Sequence, residues 1–233
     1  MRRTILPSAC RRVPSSISCA RTISASVRWV KHVEGEEGSE YRRFTNVVSD
    51  GAGGFWLIGT RGDSDDDTRA WLLRIDADGN VLSSQTWGPA GLQTYGTTIL
   101  VLPDGVRVGS WTRSGNVAHI STFDAAGNFK SAMALNPSCG EDVSPTAVAP
   151  RADGGFVMVG TANTVPAESF FLTFDVNGNI GTQSSFATVA ISDRSPALDS
   201  VVPLNSTGFF VAGTCFNSTV VSDDALVLNL DAK

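Results

Sequence analysis

Apolar and polar positions along the chain fall into a unit of about fifty residues that recurs four times. Its first signature is a short apolar run closed by Gly-Thr or a near relative. The runs are GGFWLIGT at Gly53–Thr60, GVRVGSW at Gly105–Trp111, GGFVMVGT at Gly154–Thr161 and TGFFVAGT at Thr207–Thr214. A second apolar run ending in Asp follows each: WLLRID (Trp71–Asp76), HISTFD (His119–Asp124), FFLTFD (Phe170–Asp175) and LVLNLD (Leu226–Asp231). In three copies a Gly-Asn pair comes next, at Gly79-Asn80, Gly127-Asn128 and Gly178-Asn179. Consecutive apolar residues such as Phe55–Ile58 predict strands buried on both faces. Several such strands per repeat of this length predict an all-β chain, a β-propeller of four-stranded antiparallel blades.

Within Tyr41–Gly88 the pattern predicts a first strand at Thr45–Val48, a second at Phe55–Gly59, a third at Trp71–Ile75 and a more polar outer strand at Val81–Trp87. An Asp at the turn entrance accepts backbone N–H groups, and Gly supplies a positive φ. The fourth copy ends at its third strand. VRWVKHV at Val27–Val33 resembles the outer strand VLSSQTW and precedes the first copy. Pairing it with Asp224–Asp231 would close a four-bladed ring; the rival is a fragment of a longer propeller. The propeller is expected over residues 27–233, behind a basic leader at residues 1–26.

The repeat resembles bacterial-type β-propeller repeats of the form DGGF-x-x-x-GT followed by W-L-x-K-x-D-x-x-G. Asp50–Thr60 with Trp71–Trp87, and Asp153–Thr161 with Phe170–Phe186, carry the resemblance. The second copy departs from it at Val106 and Arg107. The resemblance implies cell-surface or secreted proteins and transfers no catalytic residue.

Composition bounds the function classes. Of 233 residues, 42% are hydrophobic and the net charge is −5, which disfavours a nucleic-acid surface. No apolar run is long enough to span a membrane. Residues 1–33 hold no Asp or Glu but six Arg, a composition found in mitochondrial presequences. A cut near Val30, however, would divide the proposed closing strand. A disordered tail and a secreted or surface location are the other readings.

Candidate chemistry is sparse. His32 and His119 are the two histidines, and His119 takes the repeat position of Trp71, Phe170 and Leu226, so a largely buried structural role is expected. Cys139 and Cys215 occupy non-equivalent positions and are expected to be free thiols. Acidic residues cluster in predicted loops on one face: Glu34–Glu40, Asp63–Asp67, Glu141-Asp142 and Asp223-Asp224. Asp63, Asp65 and Asp67 open like a calcium loop, but Thr68 stands where Gly is needed and Arg74 where the bidentate Glu belongs. They are the candidate metal residues, with calcium as the candidate cofactor and a solvated acidic rim as the alternative. The expectation is a non-catalytic scaffold whose loops bind a protein or small-molecule ligand. The alternative is a hydrolase-like propeller with a carboxylate-held divalent cation in its central channel.

Overall fold

A computed structural model describes residues 29–30, 41–62, 67–113, 117–135, 143–162, 168–186, 194–204, 208–217 and 222–231. The chain divides into a short unit, residues 1–31, and a large one, residues 32–233. In the short unit Trp29 and Val30 are described, and neither lies in a strand. The rest of Val27–Val33 and of the basic leader lies outside the described residues.

The large unit is all-β and propeller-like. Sheet I comprises β1 (Tyr41–Ser49), β2 (Phe55–Gly62), β3 (Thr68–Ile75) and β4 (Val81–Trp87). Sheet II comprises β5 (Thr94–Leu102), β6 (Gly105–Thr112), β7 (Val117–Phe123) and β8 (Phe129–Leu135). Sheet III comprises β9 (Val143–Pro150), β10 (Phe156–Ala162), β11 (Glu168–Phe174) and β12 (Ile180–Phe186). Sheet IV comprises β13 (Arg194–Pro203), β14 (Gly208–Asn217) and β15 (Ser222–Asp231). Each is an antiparallel meander in chain order, and three of the four have four strands. Sheet IV has three among the described residues, so the expected fourth strand there is not part of the described fold.

The strands run longer than their apolar cores suggest. β1 covers nine residues, because Tyr41–Phe44 pair with Gly59–Gly62 before the predicted start. Asp223 and Asp224, expected in a loop, lie in β15 opposite Phe216 and Cys215. The β14–β15 ladder continues to Asn217–Ser222, and backbone pairing there outweighs the polar character of the two aspartates. β4 alternates between exposed and half-buried positions, as an outer strand should.

The core lies between successive sheets. Trp56, Ile58 and Leu72 of sheet I meet Ile99, Val106 and Val108 of sheet II. Ile120 of sheet II meets Phe156 and Met158 of sheet III, and Val157, Val159 and Phe171 meet Leu198 and Val211 of sheet IV. Two consecutive residues of one strand therefore serve two different interfaces, which is why the apolar runs are unbroken.

The register within each sheet is interrupted at one place on its first strand. Thr45, Thr97, Thr146 and Asp199 each stand unpaired between residues that are in register with the second strand. The bulge presses a first-strand carbonyl onto the second strand. A Cβ at Gly59 would lie 1.9 Å from Arg43 O, at Gly160 2.2 Å from Ser144 O, and at Gly213 1.9 Å from Ala197 O. The glycine of the Gly-Thr signature is thus fixed by close backbone approach. Gly160→Ala is expected to destabilise by about 2 kcal/mol or more, as overpacking against backbone does. Equal urea midpoints for wild type and variant would contradict this.

Candidate functional site

Three of the four bulged residues are threonines, and two of them tie sheets together. Thr45 Oγ1 lies 2.7 Å from Gly96 O of sheet II and 3.1 Å from Ile58 O of its own sheet. Thr146 Oγ1 reaches Leu198 O of sheet IV and Val159 O of its own. Thr97 Oγ1 donates to Gly109 O at 3.2 Å. Gly96 and Leu198 are equivalent residues, each just ahead of the next bulge. A hydroxyl is required at this position because the acceptor is a carbonyl and the side chain must supply the proton.

Asp199 breaks the pattern. It occupies the fourth bulge, is exposed, and is the one carboxylate on β1, β5, β9 and β13. An ionised carboxylate accepts only, so it cannot make the carbonyl bond that threonine makes. Sequence reading passed over it because it lies ahead of the recognised signature. A signal was present: Thr45, Thr146 and Asp199 each precede Gly59, Gly160 or Gly213 by fourteen residues.

The Asp50–Arg74 pair and the turn aspartates have their carboxylates hydrogen-bonded on both oxygens. Asp50 Oδ1 accepts the N–H groups of Ala52 and Gly54, at 2.9 and 2.8 Å. Its Oδ2 pairs with Arg74 Nη2 at 2.8 Å, and Arg74 Nη1 donates to Ala125 O of sheet II at 3.0 Å. The guanidinium lies 5.2 Å from the Trp56 ring centroid. Arg74 therefore pins sheet I to sheet II. A recess of about 370 Å³ opens beside Asp50, Trp56, Arg74, Pro103 and Val106, but both its charged groups are already committed to each other. In sheet II Arg107 stands where sheet I has Trp56, with 8% of its side chain exposed, and pairs with Asp104 at 2.6 Å. Asp76, Asp124 and Asp175 close their turns as expected; each Oδ1 accepts two backbone N–H groups and each Oδ2 accepts the amide of Asn80, Asn128 or Asn179. These bonds hold the Asp124 and Asp175 carboxyls below the usual carboxylate range.

Of the candidate metal residues, Asp63 and Asp65 lie outside the described residues, and Asp67 sits 3.8 Å from Arg69 Nε. Glu34–Glu40, Glu141 and Asp142 also lie outside them. Among the described residues no three His, Cys, Asp or Glu side chains converge as a cation site would require. His119 is half-buried rather than largely buried, on the third strand of sheet II, and desolvation alone pushes its pKa down. Its neighbours opposite are Ser110 and Ala134. Cys215 is buried and free.

No protein-family model and no curated protein matches this sequence. Solved structures do resemble the fold. A protein of unknown function from Dyadobacter fermentans matches with a TM-score of 0.60 at 15% identity, over 78% of this chain and 51% of its own. A candidate exo-β-1,3-galactanase from Bifidobacterium bifidum matches with a TM-score of 0.53 at 16% identity, over 80% and 67%. An exo-β-1,3-galactanase from Phanerochaete chrysosporium, solved with β-1,3-galactotriose, gives 0.52 at 13% identity, over 79% and 45%. The chain spans 45% to 67% of these three structures' lengths. At such identities the likeness is one of fold. It nonetheless corrects the expectation of a non-catalytic scaffold, since named galactanases stand among the structures most like this one in architecture, and the hydrolase-like alternative accords with them better.

Asp50 carries a pH signature. Its carboxyl is held below the ordinary range, first by the Arg74 hydrogen bond and then by the Ala52 N–H. The folded pKa lies below the unfolded one, so the stability this group contributes is present above about pH 3.9 and is lost as pH falls through the folded value. Asp50→Asn is expected to cost about 2 kcal/mol at pH 7 and to flatten the acid limb of stability below pH 4. Guanidinium melts from pH 2 to pH 7 check this; an unchanged acid limb in the variant would remove Asp50 from the account.

Proposed function

We propose that the array acts as a hydrolase-like propeller on a carbohydrate, with the reaction at the axis around which the four first strands gather. The observation that carries the reading is Asp199: an exposed carboxylate at the one described bulge that holds no threonine. The likeness of the fold to galactanase structures supports it and suggests β-1,3-linked galactose oligosaccharides as the first substrate class to test.

Glycoside hydrolysis uses two carboxyl groups, roughly 5 to 10 Å apart, that flank the scissile bond. One protonates the leaving oxygen, and the other acts as nucleophile or activates water. Asp199 is the carboxylate that the described first strands supply for such a pair. It is exposed, and the bulge turns it away from the ladder.

Purified full-length chain is expected to release reducing sugar from β-1,3-galactan or a related galactose- or arabinose-containing glycan. Asp199→Asn should lower kcat at least about 100-fold, the scale of one acid–base or nucleophile group, with Tm unchanged because the side chain is exposed. Absence of hydrolysis across a panel of such glycans, or full activity in Asp199→Asn, would contradict the reading.

A further inference from the structure

Sheets I and II, and sheets III and IV, are each joined by a threonine hydroxyl that reaches a first-strand carbonyl across the interface. Between sheets II and III the equivalent hydroxyl, that of Thr97, donates within its own sheet to Gly109 O. This interface carries an aromatic pair instead. Tyr95 of β5 and Trp111 of β6 lie opposite each other in the ladder, and their rings stack with centroids 4.9 Å apart and planes at 24°. Residues two apart in a strand share a face. The Gly109 position faces Met158 and Pro145 of sheet III, so Trp111 and Tyr95 also stand on the sheet III side of sheet II.

In register, Trp111 stands where the other sheets have Thr60, Thr161 and Thr214, and Tyr95 where they have Arg43, Ser144 and Ala197. Two rings replace small or polar side chains together, in one of the four sheets. Both are half-buried. A stacked pair that serves packing alone is enclosed, as Phe156 and Phe174 are at 1% and 0% exposure. The rim of the Tyr95–Trp111 pair is polar. Tyr95 Oη donates to Gln93 Oε1 at 3.0 Å, and Arg113 Nη1 donates to the same oxygen at 3.3 Å. Arg113 N donates to Gln93 O at 2.9 Å, which holds the two residues side by side. The Arg113 side chain is exposed and has no carboxylate partner among the described residues. A guanidinium has five N–H donors, so it can serve Gln93 and a ligand at once.

We propose that Tyr95 and Trp111 form a platform for one galactose ring of the glycan, with Gln93 and Arg113 bonding to its hydroxyls. This assignment rests on the carbohydrate reading above and deepens it: Trp111 binds and selects the sugar, whereas Asp199 reacts. Tyr95 lies two residues ahead of the bulge on its first strand, so the platform belongs to the same set of first strands as Asp199. Tyr and Trp offer an apolar body with a polar tip. A pyranose has the matching form, an apolar C–H face with a hydroxyl edge. In the galacto configuration the C4 hydroxyl is axial and points to one side of the ring. The C–H bonds at C3, C4 and C5 then lie together on the other side, and a β-1,3 linkage leaves them free. In the gluco configuration the C4 hydrogen moves to the opposite face and that patch is broken. A flat aromatic surface therefore favours galactose, and the exposed guanidinium meets the hydroxyls at the ring edge.

Binding is measured by titration calorimetry on the full-length Asp199→Asn chain, which keeps the oligosaccharide intact. The probes are β-1,3-galactotriose and its gluco counterpart, β-1,3-glucotriose. Galactotriose is expected to bind at least about tenfold more tightly than glucotriose. In the same background Trp111→Ala should weaken galactotriose at least about tenfold, and Arg113→Ala at least about threefold. Trp111→Phe should recover most of the loss, because a flat apolar ring remains. Arg113 is exposed and Trp111→Phe is conservative, so a folding defect in Trp111→Ala does not decide the outcome. Saturation-transfer NMR should place the strongest transfer on H3, H4 and H5 of one galactose residue. Equal affinity for the two trioses, unchanged affinity in Trp111→Ala and Arg113→Ala, strongest transfer to other protons, or no binding of galactotriose overturns the proposal. With Asp199 intact, Trp111→Ala should raise KM at least about tenfold and leave kcat within about threefold. Binding that depends on Trp111 without any hydrolysis sinks the hydrolase reading and keeps the platform. Hydrolysis with an unchanged KM in Trp111→Ala does the reverse.

Discussion

The structure depends on a backbone contact: the first strand of each sheet bulges once and sets a carbonyl on the second strand, where no Cβ fits in three of four sheets. That contact fixes the Gly of the Gly-Thr signature. It also turns the extra residue out of the ladder, free to act between sheets. At Thr45 and Thr146 the hydroxyl reaches a carbonyl of the following first strand, and the apolar cores then close on either side. Local geometry and the stacking of sheets are therefore one device, repeated. A bulge is the natural place for it, because an unpaired residue can be changed without breaking a ladder hydrogen bond.

Much of the fold was legible because its period is written in several independent signals. Unbroken apolar runs marked the doubly buried strands, and Asp-x-x-Gly-Asn marked the turns that Asp76, Asp124 and Asp175 close. The ends of the strands were less legible. Arg42, Arg43 and Ser222–Asp224 are polar, and backbone pairing places them in strands. Arg74 read as a defect in a calcium loop and proved to be a pin that joins Asp50, Trp56 and Ala125. A long-range contact of this kind leaves no periodic trace in sequence.

The candidate site was the least legible part, for a physical reason. Sequence draws attention to concentrations of charge, here the acidic runs at Glu34–Glu40 and Asp63–Asp67. Asp199 is a single carboxylate in a moderately polar stretch. Its significance comes from a comparison that only the register makes possible, with Thr45, Thr97 and Thr146 at the same bulge. Three positions supply a proton to a carbonyl and one cannot. The array exchanges a hydroxyl donor there for a carboxylate on a first strand.

That exchange can be tested with one substitution and two readouts on the full-length chain. Asp199→Thr restores the residue type of the other three bulges. The account predicts that its Tm equals or exceeds that of wild type while glycan hydrolysis falls to background. Hydrolysis at the wild-type rate in Asp199→Thr, or a Tm several degrees below wild type, would contradict it.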